Sequence, residues 1–185
     1  MSELSSLFAR ISITPKNYEA FLSAKPQAPT LDENWSNWWN SRKMYSPRLL
    51  VANDLYAYND DTNEAILEGW KDAENSGTFY NYDVTLGLFN LGIIFFSENY
   101  EEMIPMIAFI LSLSDYKENN TDDFVIVYPY FWGDSDINLF IKYDGKKALL
   151  DTQLEKVDEV DVDKLEYAKE FLGKKFSEIF QNNND

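Results

Sequence analysis

The segment from residue 124 to residue 150 constrains the fold most, because it has the pattern of three consecutive antiparallel strands. Phe124–Tyr130 is rich in β-branched and aromatic residues, and Ile137–Tyr143 carries apolar residues at alternate positions. The pair Asp144-Gly145 is typical of a two-residue hairpin turn and leads directly into Lys147–Leu150. These features predict a three-stranded meander.

Further strands are predicted ahead of this meander. Phe8–Ile13 has apolar residues at alternate positions, and Tyr80–Leu88 alternates without a break. The alternation changes phase near Phe89-Asn90, where we expect a bulge or a turn, and Leu91–Phe96 follows as a buried strand. A short strand is also expected within Leu49–Tyr58.

Helix starts are marked by residues whose side chains can accept a hydrogen bond from first-turn backbone N–H groups. Asp61 and Glu64 have the spacing of a capping box, as have Asp163 and Glu166. The last helix is amphipathic, and the polar segment 181–185 at its end is expected to be a disordered tail. The predicted helices begin near Thr14, Asp32, Asp61, Asn99 or Glu102, and Asp163.

Three tryptophans fall on one side of the helix that begins at Asp32. Trp35, Trp38 and Trp39 have i, i+3, i+4 spacing. If exposed, they would form a stacking platform for sugars or a protein-binding hot spot. The same spacing is that of a core-facing helix, and we favour this interpretation because aromatic residues dominate protein cores.

Helices before and after a mainly antiparallel sheet predict an α+β fold, with helices packed on one sheet face and an amphipathic C-terminal helix. The length suits a single domain over residues 1–185. The sequence has no apolar run of 18 residues, and its first residues lack the pattern of a secretory signal. We therefore expect a cytoplasmic protein that makes no contact with a membrane.

The formal net charge of −16 is unevenly distributed along the chain. Residues 1–50 are near neutral with six Lys/Arg and four Asp/Glu, whereas residues 51–150 hold five and eighteen. A negative field of this kind repels nucleic acid and anionic lipid, and it attracts cationic proteins. Unless the charge serves solubility alone, it indicates a basic protein as the partner and no direct contact with nucleic acid.

The residue types present exclude most familiar catalytic chemistry. The chain has no His and no Cys, and neither Gly-rich phosphate-binding motif occurs. The carboxylate pairs Asp122/Asp123 and Asp134/Asp136 could act as acid and base or hold Mg²⁺. Because a lone Asp-x-Asp between strands is mostly turn chemistry, we expect no catalytic residue, no cofactor and no metal.

A docking surface for a basic protein combines acidic residues with aromatic anchors. Pro129 cannot donate a ladder hydrogen bond, so its strand is expected to lie at a sheet edge or to contain a bulge, with some neighbouring rings exposed. The acidic loops Asp115–Asp123 and Gly133–Asp136 border this strand and form the predicted contact rim. The predicted partner-binding residues are Asp115, Glu118, Asp122, Asp123, Tyr130, Trp132, Asp134 and Asp136.

In size, acidity and α+β composition without catalytic residues, the chain resembles the immunity proteins that bacteria make against nuclease-type polymorphic toxins. The resemblance implies a non-enzymatic protein that neutralises a cationic toxin domain, with acidic side chains occupying a site otherwise used by phosphate. Two alternatives stay open. One is a carboxylate- or Mg²⁺-dependent enzyme acting on a sugar or nucleotide, and the other is a nucleic-acid mimic that inhibits a DNA-binding protein.

Overall fold

A computed structural model describes residues 3–44, 46–56, 58 and 61–182, apart from the side chains of residues 180–182. Its strands are β1 (Ser5–Ser12), β2 (Thr78–Asp83), β3 (Leu88–Ser97), β4 (Phe124–Tyr128), β5 (Leu139–Asp144) and β6 (Lys147–Leu150). Its α-helices are α1 (Pro15–Ser23), α2 (Glu33–Ser41), α3 (Asn63–Asp72), α4 (Tyr100–Leu111) and α5 (Val162–Asn182).

The strands form one antiparallel sheet in the order β2-β3-β1-β4-β5-β6. In its middle, Arg10 of β1 lies opposite Asn90 of β3 on one side and Phe124 of β4 on the other. β4, β5 and β6 pair in sequence as the predicted meander. The α+β class with an antiparallel sheet is therefore confirmed.

The two sheet faces carry different helices, because alternate residues of each strand point to opposite sides. Leu7, Ala9 and Ile11 of β1 lie in the core that α1 to α4 also enter. Phe8 lies on the opposite face, where its ring centroid is 5.5 Å from that of Phe171 in α5. The helices α1 to α4 thus share one face, and the amphipathic C-terminal helix covers the other.

The tryptophans of α2 belong to the core, as predicted. Trp35, Trp38 and Trp39 are all buried. The Asp32 carboxylate accepts a hydrogen bond from the backbone N–H of Trp35 at 3.0 Å and so caps this helix. The alternative of an exposed sugar-stacking platform is wrong.

The turn between β2 and β3 lies earlier than predicted. Asp83 ends β2, and its Oδ1 accepts hydrogen bonds from the N–H groups of Thr85 (2.8 Å) and Leu86 (3.0 Å). Gly87 completes the turn with φ +63°, a conformation that favours glycine. The prediction of a turn or bulge at Phe89-Asn90 is therefore wrong. The turn residues Val84 and Leu86 continue the apolar alternation of β2, although their side chains are exposed.

Three local predictions also differ from the structure. Thr62, rather than Asp61, caps α3, because its Oγ1 accepts from the N–H of Ala65. Asp161, rather than Asp163, caps α5 through its Oδ1. In the described part of the segment 49–58 there is a short 3-10 helix, Ala52–Leu55, and no strand.

The strand that ends before Pro129 is not an edge strand. β4 pairs with β1 on one side and with β5 on the other, and Pro129 follows its last residue. The ladder therefore requires no N–H from this proline, which removes the reason for an edge position. The edges of the sheet are β2 and β6.

The predicted disordered tail covers residues 181–185. The helix α5 includes residues 181 and 182, and residues 183–185 lie outside the described part of the chain. Among the described residues, no helix is long and apolar enough to cross a membrane.

Candidate partner-binding surface

The predicted contact rim is divided between the two ends of β4. Residues 112–123, which we call the acid loop, precede this strand, whereas residues 129–138 follow it. Because a single extended strand separates the two loops, they lie at opposite ends of the sheet. The structure therefore places Asp115, Glu118, Asp122 and Asp123 at one end, and the other four predicted residues, Tyr130, Trp132, Asp134 and Asp136, at the other.

Asp123 is not part of any exposed rim, which corrects the prediction for this residue. Its side chain is 0% exposed, and so is that of Lys117, whose Nζ lies 3.0 Å from Asp123 Oδ2. The other oxygen, Oδ1, accepts hydrogen bonds from the backbone N–H (2.9 Å) and hydroxyl (2.7 Å) of Ser12. A buried charge requires such compensation, so the role of Asp123 is structural.

The same pair anchors the acid loop to its neighbours. The Lys117 ammonium donates to the carbonyl of Gly145, in the hairpin turn between β5 and β6, at 2.8 Å. It also donates to the carbonyl of Glu118, whose own N–H donates to the carbonyl of Ser12 at 2.8 Å. Asn17 of α1 holds the carbonyl of Tyr116 at 2.9 Å. The loop backbone is therefore fixed to β1, to α1 and to the β5–β6 hairpin.

Three carboxylates remain on this anchored loop for external contacts. Asp115, Glu118 and Asp122 are exposed. Among the described residues, none of these three side chains has an ion pair or a side-chain hydrogen bond. A carboxylate with no partner in its own chain can meet an external cation without first breaking an internal contact.

The start of α5 extends the acidic surface. The Lys164 ammonium donates to the carbonyl of Thr121 at 3.0 Å, which ties the first turn of α5 to the acid loop. Asp161 and Asp163 are exposed there and line the same hollow as Asp122, with a volume of about 360 Å³. We call the acid loop together with residues 161–164 the acidic end of the sheet.

The aromatic residues of the predicted site lie at the other end. Trp132 is 53% exposed and packs edge-on against Phe131, with ring centroids 4.8 Å apart. Tyr130 is half-buried, and burial raises the pKa of its hydroxyl. These rings lie near Phe176 of α5 and do not border the acid loop.

The carboxylates at the aromatic end are matched by cations of the chain itself. Asp136 forms an ion pair with Lys156, and Lys43 lies close enough to contribute electrostatically. Asp134 and Asp136 line a hollow of about 280 Å³ together with Lys156, Lys43 and Arg42. Arg10 and Lys164 line the hollow at the acidic end as well, so the difference is the ion pair: Asp136 is paired within the chain, whereas the exposed carboxylates of the acid loop have no ion pair among the described residues. The aromatic end is therefore less suited to a cationic partner.

The Asp136–Lys156 pair gives a testable pH dependence. The hydrogen bond from Lys156 holds the pKa of Asp136 below its ordinary value of about 3.9. Folding lowers this pKa, so the contribution of the pair to stability is present above the ordinary value and lost as the pH falls through the lowered one. We expect Lys156→Met to raise the pKa of Asp136 in a carboxyl-carbon NMR titration. Lys146→Met is the control, and equal Asp136 titrations in the two variants would contradict this assignment.

Some residues of the acidic end were not predicted from the sequence. Asp163 was interpreted only as part of a helix start, and Asp161 was not singled out. Lys117 was not singled out, although it is the only Lys or Arg between Lys71 and Lys142. A single lysine within an acidic loop was the feature of the sequence that could have indicated a buried ion pair with one of the loop carboxylates.

An alternative role for the pairs Asp122/Asp123 and Asp134/Asp136 is the coordination of a metal ion. In the described ranges, no three Asp or Glu side chains are grouped so that they could hold a metal ion. Asp122 and Asp123 point to different environments, because the first is exposed and the second is buried.

Comparison with protein-family models, with curated proteins and with solved structures finds no match, so the functional argument rests on the residues of this chain.

Proposed function

We propose that this chain is a non-enzymatic protein that binds and neutralises a cationic protein through the acidic end of the sheet. The observation that carries the proposal is the contrast inside the acid loop. Lys117 and Asp123 are buried and hold the backbone, while Asp115, Glu118 and Asp122 face solvent without a partner among the described residues.

An anchored loop suits tight binding, because binding then costs less conformational entropy than ordering a mobile segment. The net charge of −16 adds long-range attraction, which raises the rate of encounter with a cationic partner. Charge repulsion also disfavours direct binding to nucleic acid. These effects favour a basic protein as the ligand.

The finer proposal is that the partner is a nuclease-type toxin domain and that the chain is its bacterial, cytoplasmic immunity protein. A nuclease holds phosphates with lysine and arginine side chains. The acid loop offers carboxylates that can occupy such a site, and the size and acidity of the chain resemble those of immunity proteins.

An affinity experiment tests this function. The immobilised chain is exposed to a bacterial extract at about 50 mM and about 500 mM salt, a range over which exposed charges become strongly screened. We expect capture of a basic protein that is released at the higher salt concentration. The purified captured protein should cleave nucleic acid, and stoichiometric addition of this chain should stop the cleavage.

Other outcomes would contradict the proposal. Failure to capture a basic protein, or capture that does not depend on salt, would remove the cationic-partner function. Capture of a DNA-binding protein that has no nuclease activity, and that DNA displaces, would favour a nucleic-acid mimic over an immunity protein.

A further inference from the structure

Arg10 is the arginine of this chain whose hydrogen-bonding groups are used least. The chain has three arginines. All three guanidinium nitrogens of Arg42 donate hydrogen bonds, to a hydroxyl and two backbone carbonyls. Those of Arg48 donate to two carboxylates and a backbone carbonyl. Arg10 donates through Nη1 alone, to Asp123 Oδ1 at 3.5 Å, so its Nε and Nη2 have no acceptor among the described residues.

The guanidinium of Arg10 is nevertheless held in one place. Its backbone lies in the middle of the sheet, where β1 pairs with both β3 and β4. Its Cζ lies 5.5 Å from the ring centroid of Tyr167 in α5, a distance at which a cation is attracted to an aromatic face. The side chain is 18% exposed. An arginine fixed in this way loses little further freedom when it binds a ligand.

The surroundings of Arg10 have mixed charge. Arg10 and Lys164 line the hollow of about 360 Å³ at the acidic end, together with the exposed residues Asp122, Asp161 and Asp163. A free anion would be repelled by these three carboxylates, whereas a ligand with positive charge alone would be repelled by Arg10. The ligand that fits best carries a carboxylate with lysine or arginine side chains beside it, because each charge then meets its opposite.

We propose that Arg10 binds a carboxylate of the cationic partner, while Asp122 and Asp163 bind lysine or arginine side chains that flank it. The planar fork of an arginine matches a carboxylate with two parallel hydrogen bonds, and Nε and Nη2 remain for such a pair. This inference rests on the proposed function and refines its partner. A carboxylate among cations is the charge pattern of a nuclease site that holds a divalent metal through carboxylate oxygens and phosphate through lysine or arginine.

A pair of peptides tests the role of Arg10 on the isolated chain. The probes are acetyl-Lys-Glu-Lys-amide and acetyl-Lys-Gln-Lys-amide, and binding is followed through the backbone N–H signals of Asp122 and Lys164 in NMR spectra. We expect the Glu peptide to bind about 10-fold more tightly, the factor that a hydrogen bond to a charged group provides. Without a carboxylate site the order would reverse, because the Gln peptide has the larger positive charge and the chain is strongly acidic.

Arg10→Gln should abolish the preference for the Glu peptide, because its neutral amide can still donate to Asp123 but offers no cation to a carboxylate. Arg42→Gln is the matched control and should keep the preference, since the nitrogens of Arg42 already donate within the chain. If Arg10→Gln does not fold, Arg10→Lys replaces it, because lysine keeps a cation beside Asp123 but lacks the fork.

Three results of the peptide experiment would overturn the proposal. They are equal or tighter binding of the Gln peptide to the wild type, unchanged N–H signals up to about 10 mM of the Glu peptide, and the same preference in the Arg10 variant.

The captured partner separates this inference from the proposed function. We expect it to dissociate from Arg10→Gln about 10-fold faster than from the wild type. Dissociation at the wild-type rate would show that the inference is wrong although the proposed function stands. If no basic protein is captured, the proposed function fails, and the peptides still decide whether Arg10 binds a carboxylate.

Discussion

Replacing Lys117 with methionine is expected to lower the free energy of unfolding by about 3–5 kcal/mol, the range for breaking a buried ion pair on one side. The variant leaves the carboxylate of Asp123 buried at 0% exposure without its nearer cation, and only the longer contact with Arg10, at 3.5 Å, remains. It also removes the donor to the carbonyls of Glu118 and Gly145. Urea unfolding of the purified variant and of the wild type measures the difference.

Two controls separate the ion pair from a general effect of removing a lysine. Lys146→Met changes an exposed lysine of the nearby hairpin and should alter stability by no more than about 0.5 kcal/mol. The double variant Lys117→Met with Asp123→Asn removes both buried charges but keeps an oxygen for the Ser12 N–H, and it should recover part of the lost stability. If Lys117→Met costs no more than Lys146→Met, the buried pair does not hold the loop.

Neutralising the acid loop is expected to slow association with the cationic partner by about 10- to 1,000-fold at low salt, the range attributed to electrostatic steering. The variant combines Asp115→Asn, Glu118→Gln and Asp122→Asn. These side chains are exposed and without partners among the described residues, so its stability should change little. Stopped-flow or surface-based kinetics with the captured partner measures the rate.

A second triple variant provides the matched control. Glu3→Gln, Glu74→Gln and Glu98→Gln change the net charge by the same amount, but these exposed residues lie away from the acid loop, near the opposite ends of the strands. We expect this variant to retain most of the wild-type rate. If both triple variants slow association equally, the attraction depends on total charge and not on the acid loop.

Turns and helix starts were predicted correctly where the residues that form them are close together in the sequence and the folded chain keeps the same local contacts. Asp144-Gly145 forms the expected hairpin turn, with Gly145 at φ +61°. Asp32 caps α2, and Asn99 caps α4. In each case the residue that sets the local geometry is a near neighbour in the sequence, so no distant contact was required to recognise it.

The missed turn shows the limit of hydrophobic periodicity. Val84 and Leu86 continue the alternation of β2, and a buried strand is the usual source of such a pattern. In the structure both side chains are exposed in the turn that Asp83 stabilises. Alternation of apolar residues alone does not show that their side chains are buried. Here the hydrogen bonds accepted by Asp83 stabilise a turn in place of a longer strand.

The candidate site was predicted in part, for a similar reason. The exposed acids of the loop were chosen correctly as surface residues, but Asp123 differs from Asp122 through its contacts with the distant residues Ser12 and Arg10 and with the buried Lys117. The division of the rim follows from a simpler fact. Two loops joined by one strand lie at opposite ends of it, so Trp132 could not stand beside Asp122.

Carbodiimide cross-linking of the complex with the captured partner tests the central claim most directly, because it joins carboxylates to lysines in direct contact. Mass spectrometry of the cross-linked peptides identifies the carboxylates involved. We expect cross-links from Asp115, Glu118 and Asp122, and from Asp161 or Asp163 at the start of α5. Cross-links confined to Asp134 and Asp136, or spread evenly over the exposed acids of the chain, would contradict binding through the acidic end.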